Sequence, residues 1–198
     1  KSTIPESAIC GADDETIVVR GADLCKDLIG KLSFSDYFWL LVTGQRPSAI
    51  ASRVLDATLV AIAEHGLVPS VQASRMTLAA APDAIQGAVA AGILGCGSVI
   101  LGASETAGRM FLRVDAIAKE KVTSLEAAAT EVVRELRTSK QAIPGYGHPV
   151  HKARDPRVAR LFEVAAEAGA PMHFVAIAEA VEKVLPELTG RDLRLNVS

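Results

Sequence analysis

The stretch Pro144-Gly-Tyr-Gly-His-Pro-Val-His-Lys-Ala-Arg-Asp-Pro-Arg157 decides how the rest of this chain is read. It packs two histidines, three cations, two glycines and three prolines into one segment. Pro149 and Pro156 each remove a backbone donor and push the preceding residue out of the helical region, so neither a regular helix nor a central strand fits. Gly145 and Gly147 permit tight turns and a close approach of backbone to ligand. A loop that concentrates imidazoles and fixed cations suits an anionic substrate with proton transfer nearby. Composition alone equally permits a positive surface loop between helices.

On either side of this loop the chain reads as helices joined by short polar turns. Ser33 to Thr43 opens on Ser-Phe-Ser-Asp, an N-cap region, and stops at Gly44 ahead of Pro47. Ser48 to Glu64 repeats Ile50, Val54, Leu55, Leu59 and Ile62 at helical spacing, with Thr58 the one polar residue on that face. Gly66 supplies a left-handed stop after it. Asp83 to Leu94 is rich in alanine and glycine, and Glu105 to Lys119 predicts another helix. Ser124 to Thr138 begins Ser-Leu-Glu-Ala and ends with Arg134 and Arg137, charges that suit the helix dipole at both ends. Arg157 to Ala168 and Phe174 to Leu185 are amphipathic. Alternation at period two is confined to short candidates such as Thr16 to Val19. The expected class is all-α.

Composition narrows the function. The 198 residues suffice for one substantial core or one and a half domains. Only 4% are aromatic while alanine abounds, which favours closely packed helices. A net charge of -2 argues against a general nucleic-acid binder. Cys10, Cys25 and Cys96 are odd in number, widely spaced and form no CxxC, as expected for a reducing compartment, most simply the cytoplasm. The most apolar run, Ala79 to Leu101, is interrupted by Pro82, Asp83, Gln86 and four glycines, so no membrane span is expected. No signal peptide is visible, although the chain starts at Lys1. Gly92, Gly95, Gly97 and Gly102 form neither a GxGxxG fingerprint nor a Walker loop, and close helix packing explains them better. His148 and His151 make an H-x-x-H pair, but in a proline-broken loop without a third ligand at a suitable spacing, so no metal site is expected.

Gly145-Tyr-Gly-His-Pro-Val-His-Lys152, followed by Asp155-Pro-Arg157, resembles the signature loop of the citrate synthase superfamily, which includes the citryl-CoA lyases. Four further segments are similar to that family's motifs in the family's order. Arg20 to Phe34 matches its opening segment, Leu40 to Ser48 the next, Ala63-Glu-His-Gly66 its upstream histidine motif, and Leu195-Asn-Val-Ser198 its Asn-Val-Asp. The resemblance implies a helical fold with a large and a small domain closing over a cleft. Residues 1–101 would be large domain, 102–189 small domain, and 190–198 a return to the large domain. It also implies a homodimer, and a native chain that continues past Ser198 to complete the large domain.

The same resemblance distributes roles. His148 would polarise the oxygen at the reacting carbon of a citrate or oxaloacetate moiety, since carbon–carbon cleavage beside a hydroxyl needs its forming carbonyl stabilised. A loop histidine capping a backbone carbonyl is the plainer alternative. His65 would help move the proton, against a plain role as a cation at a helix end. Arg157 would clamp a substrate carboxylate with its planar fork; otherwise it is a helix-start arginine paired with Asp155. Tyr146, Gly147 and Lys152 fall where the family meets coenzyme A, while Lys152 and Arg154 are also residues that solvent could hold. No cofactor is expected beyond the coenzyme A thioester, itself a substrate, and no nucleic-acid or membrane partner.

Two positions depart from the family. Where citrate synthases carry His-Gly-Gly-Ala-Asn-Glu, this chain reads Ile100-Leu-Gly-Ala-Ser-Glu105, and isoleucine cannot exchange a proton. Citryl-CoA lyase modules also have an apolar residue there, which puts this chain on the lyase side. Ser198 stands where the family has a carboxylate. The resulting expectation is cleavage of citryl-CoA, or a close analogue, to acetyl-CoA and oxaloacetate. A citrate synthase running the condensation and a silent binder of CoA esters or dicarboxylates are the alternatives.

Overall fold

The computed structural model describes residues 7–64, 66–97, 101–147 and 155–197. Backbone contacts divide the chain into two units, Lys1–Val60 with Val164–Ala170, and Ala61–Glu163 with Pro171–Ser198.

In the first unit three short strands, β1 (Cys10–Ala12), β2 (Ile17–Val19) and β3 (Ala22–Asp23), form an antiparallel meander. The Asp13 carboxylate ties its first turn by accepting from the Glu15 and Thr16 amides at 2.9 and 2.7 Å. These bonds hold the Asp13 carboxyl below its ordinary pKa. A π-helical turn, Leu24–Leu28, starts on Asp23, whose side chain accepts from the Cys25 and Lys26 amides. Helix α1 (Phe34–Thr43) lies between the two residues expected to bound it. Ser33 accepts from the Asp36 amide, and Gly44 is left-handed at φ 78°. Val19, Leu28 and Leu40 form a small core here. Helix α2 (Ala49–Ile62) stops short of Glu64, and Gly66, left-handed as expected at φ 65°, lies beyond its end. None of its residues is buried, so the stripe Ile50–Ile62 faces no core among the described residues.

The second unit holds the main core. Helix α3 (Pro69–Ala80) has no apolar stripe to announce it, but Pro69 sits in its first turn, where a missing N–H costs nothing. It packs against α4 (Ile85–Leu94). A Cβ on Gly92 would lie 3.3 Å from Ser74 Cβ, and one on Gly95 would lie 3.0 Å from Ser70 Cα. These two glycines therefore serve close helix packing, as expected, whereas a Cβ on Gly97 would meet nothing within 4 Å among the described residues.

Helices α5 (Ala103–Glu120), α6 (Leu125–Thr138) and α8 (His173–Thr189) bring together Met110, Val114, Val132, Val133, Ile177, Val181 and Leu185. The spacing Ile177, Val181, Leu185 puts three large side chains on one face of α8, each wholly buried. Ser124 caps α6 by accepting from the Ala127 amide, as its sequence predicts. Helix α8 runs four residues past the expected stop at Leu185, through Pro186, to a left-handed Gly190. A proline in the last turn forfeits only one helical bond, and the packed face upstream outweighs it. Helix α7 (Pro156–Glu167) starts on Pro156, so the last two residues of the signature stretch already belong to it.

No helix among the described residues is long and apolar enough to cross a membrane.

Candidate functional site

The signature loop enters the site through a short piece of sheet-like pairing. Tyr146 bridges Leu195 in antiparallel fashion, the Gly147 amide donates to Arg194 O at 2.7 Å, and the Asn196 amide donates to Gly145 O at 2.9 Å. The Asn196 side-chain amide closes the clasp by donating to Gly147 O at 2.6 Å. Glu182 on α8 steadies the other strand by accepting from the Leu195 amide at 2.8 Å. Gly145 and Gly147 both have φ near +84° (83° and 84°), a conformation that a side chain would strain. Two segments about fifty residues apart, Gly145-Tyr-Gly147 and Arg194-Leu-Asn196, thus become neighbours.

Tyr146 fills the space behind this clasp. Its ring meets Phe111 edge-on with centroids 6.4 Å apart, and its hydroxyl donates to Ala178 O at 2.7 Å. The side chain is buried and belongs to the core.

At the far end of the loop, Asp155 and Arg157 form one assembly. The Asp155 carboxylate is fully buried and accepts from Arg157 three times: from the backbone amide at 3.0 Å, from Nε at 3.0 Å and from Nη2 at 2.8 Å. Arg157 Nη1 reaches Ala61 O at 3.4 Å, at the weak edge of hydrogen bonding. Hydrogen bonding to Asp155 raises the Arg157 pKa above its ordinary value, so the guanidinium stays charged. The helix-start pairing foreseen for Arg157 is present. It occupies one edge of the guanidinium and leaves the end of the fork, on a side chain still 28% exposed, for another acceptor.

A cavity of about 520 Å³ opens where the loop begins, lined by Thr106, Met110 and Arg113 of α5, Val132 of α6, and Ala142 and Pro144. Arg113 is paired there with Glu135.

His65, Ile100, His148, His151, Lys152, Arg154 and Ser198 lie outside the described residues. The structure therefore brings together Tyr146, Gly147 and Asn196, and places Arg157 on Asp155. Asn196 and Glu182 carry no local signal of their roles, because the bond of one spans 49 residues and that of the other 13. Among the described residues no three histidine, cysteine or acidic side chains converge as a metal site.

Fold and loop geometry together define a helical protein in which residues 145–147 are clasped to residues 194–196. Residues 15–198 match the family described as citrate synthase, C-terminal domain, and the chain belongs to the citrate synthase family. The citryl-CoA lyase of Hydrogenobacter thermophilus superposes with a TM-score of 0.81 at 33% identity, over 98% of this chain and 72% of that one. The ATP citrate lyase of Methanothrix soehngenii, solved with citrate and coenzyme A, gives a TM-score of 0.80 at 25% identity, over 100% of this chain and 31% of that one. A citrate synthase of Synechocystis sp. is 31% identical over 166 residues, 81% of this chain. The chain spans only 39% of that relative's length.

Proposed function

We propose that this chain carries citryl-CoA lyase chemistry, cleaving citryl-CoA or a close analogue to acetyl-CoA and oxaloacetate. The observation that carries this reading is the similarity to the Hydrogenobacter lyase, which extends over nearly three quarters of that protein, whereas the Synechocystis synthase is matched over 39% of its length. Ile100, in place of the synthase histidine, supports the same choice.

In the forward cleavage the bond between the thioester α-carbon and the carbinol carbon breaks. Its electron pair moves onto the thioester as an enolate, the hydroxyl proton leaves, and a proton is returned to the α-carbon. His148 would polarise the oxygen that becomes the ketone, and His65 would move the proton. Arg157 would hold a substrate carboxylate with the open end of its fork. Lys152 would meet coenzyme A phosphate, with Tyr146 and Gly147 forming the turn against which coenzyme A lies. No metal or redox cofactor is called for. Residues 102–189 would form the small domain, flanked by large-domain residues 1–101 and 190–198. The apolar surface of α3 and α4, including Met76, Val89 and Ile93, supports a homodimer, and the free Cys10, Cys25 and Cys96 suit a cytoplasmic protein.

The test is to mix purified full-length protein with citryl-CoA and follow oxaloacetate. Release at turnover rates supports the lyase. Binding of CoA esters without product supports a silent module, and rapid citrate formation from acetyl-CoA and oxaloacetate supports the synthase. Ser198 sharpens the outcome, because a serine hydroxyl is no base without an activating neighbour, whereas a carboxylate, with a pKa of ~4, is ionised at neutral pH. Exchange of the acetyl-CoA methyl hydrogens into deuterated water should therefore be slow, and Ser198→Asp should speed it. Fast exchange in the unaltered protein would place the base elsewhere.

A further inference from the structure

We infer that Asp155 is a positioning residue for substrate recognition, holding the Arg157 guanidinium edge-on so that the end of its fork meets a carboxylate of a citrate-like ligand. The inference rests on the reading of Arg157 as the carboxylate clamp. Asp155 is among the described residues' few buried polar side chains, while Arg157, two residues on, is partly open. The carboxylate engages Nε and Nη2 together, which fixes both the plane and the rotation of the guanidinium. The backbone amide of Arg157 binds the same Oδ1, so the start of α7 and the side chain are locked to one anchor. What remains at the tip are the Nη1 hydrogens and the second Nη2 hydrogen, with only the 3.4 Å contact to Ala61 O among the described contacts of that end. That geometry is the end-on half of a fork, the part suited to a second carboxylate.

A long arginine left free loses rotamer freedom when it binds, and an anchored one has already lost it. Charge works in the opposite direction. Asp155 partly neutralises Arg157, so removing its charge would strengthen the pull on an anion if attraction alone governed affinity. The two accounts predict opposite signs, and a neutral side chain of the same shape separates them. In Asp155→Asn the amide Nδ2 faces the Nη2 donor and cannot accept from it, so the edge-on grip is lost.

The experiment is calorimetric binding of citrate, and separately of coenzyme A, to the full chain and its variants. Asp155→Asn should bind citrate roughly tenfold more weakly with coenzyme A binding unchanged, the scale of one charge-assisted hydrogen bond. Adding Asp155→Asn to Arg157→Leu should weaken citrate no further than Arg157→Leu alone, because the aspartate reaches the ligand through the arginine. Should Asp155→Asn not fold, Asp155→Glu carries the test: it keeps the charge but displaces the anchor by a methylene, and it should weaken citrate alone. Unchanged or tighter citrate binding in the folded variant, with Arg157→Leu still weak, overturns the inference by itself. Unchanged citrate binding in Arg157→Leu overturns the clamp and, with it, this inference.

Discussion

Helices α5, α6 and α8 and the pair α3–α4 belong to the same unit but finish their burial differently. The first three bury Val114, Val132, Val133, Ile177, Val181 and Leu185 almost completely among themselves. The α3–α4 pair is tightly packed through its glycines and serines, yet it leaves Met76 at 74%, Ile93 at 66% and Leu94 at 86% exposure. Ser70 is the one buried residue of α3, and Ala88 that of α4. One set satisfies its apolar surface internally. The other packs its backbones closely and leaves several large apolar side chains exposed. The difference teaches that helix formation and core membership are separate properties, and only the second is settled within the described chain for α5, α6 and α8.

The largest expected effect tests the closed region. Leu185→Ala removes a wholly buried side chain and should cost about 2–5 kcal/mol of unfolding free energy in a denaturant titration. A loss no greater than that of a surface variant would mean that the bundle is looser than its burial indicates. Next comes the seam between α3 and α4. Gly95→Ala would drive a methyl to within 3.0 Å of Ser70 Cα, a backbone atom that cannot rotate away. Overpacking of this kind should cost about 1–3 kcal/mol, whereas Gly97→Ala, with nothing within 4 Å among the described residues, should be near neutral in the same melt. Equal melts for the two variants would break the account of this pair as glycine-packed.

Ile93→Ser should change the unfolding free energy of the isolated chain by no more than about 0.5 kcal/mol, as exposed positions do. If the face of α4 is covered by a second copy, the same variant should lower the mass seen by sedimentation from dimer to monomer. A dimer that persists unaltered would put the interface elsewhere. The smallest effect lies back in the bundle. Hydrogen bonding first to Lys119 and then to His173, at 2.7 Å each, holds the Asp115 carboxyl below its ordinary pKa. A depressed carboxyl stabilises the fold at pH above the unfolded value of ~3.9, and that contribution fades as acid carries the protein down through the folded pKa. Asp115→Asn should therefore flatten the acid limb of a plot of melting temperature against pH, and an unchanged limb would show that the α5–α8 link adds nothing.

Much of the local architecture was legible beforehand because its causes are local. Ser33 and Gly44 bound α1, and Ser124 starts α6, since a cap needs only a side chain and the amides a few residues away. Thr16 to Val19 is among the short strand candidates that the pattern offers, and β2 lies within it. Helix α3 escaped because it presents no apolar stripe, and Pro69 alone was too weak a start signal. The last turn of α8 escaped because Pro186 reads as a stop unless packing holds the helix through it.

The site divides along the same line. By itself the sequence determined the signature loop, the aspartate beside the arginine, and the family resemblance that five motifs in order carry. Only the tertiary structure decided that Gly145 and Gly147 are clasped to Arg194 and Asn196, that the Tyr146 side chain belongs to the core, and that Asp155 grips one edge of Arg157. It also decided that, among the described residues, no side chain of the α2 stripe is buried, although its spacing is that of a core helix. The physical reason is range. Helix caps and turns act over three or four residues and leave a readable pattern, whereas a hydrogen bond across 49 residues, or the choice of which apolar face is covered, is set by what the folded chain brings alongside.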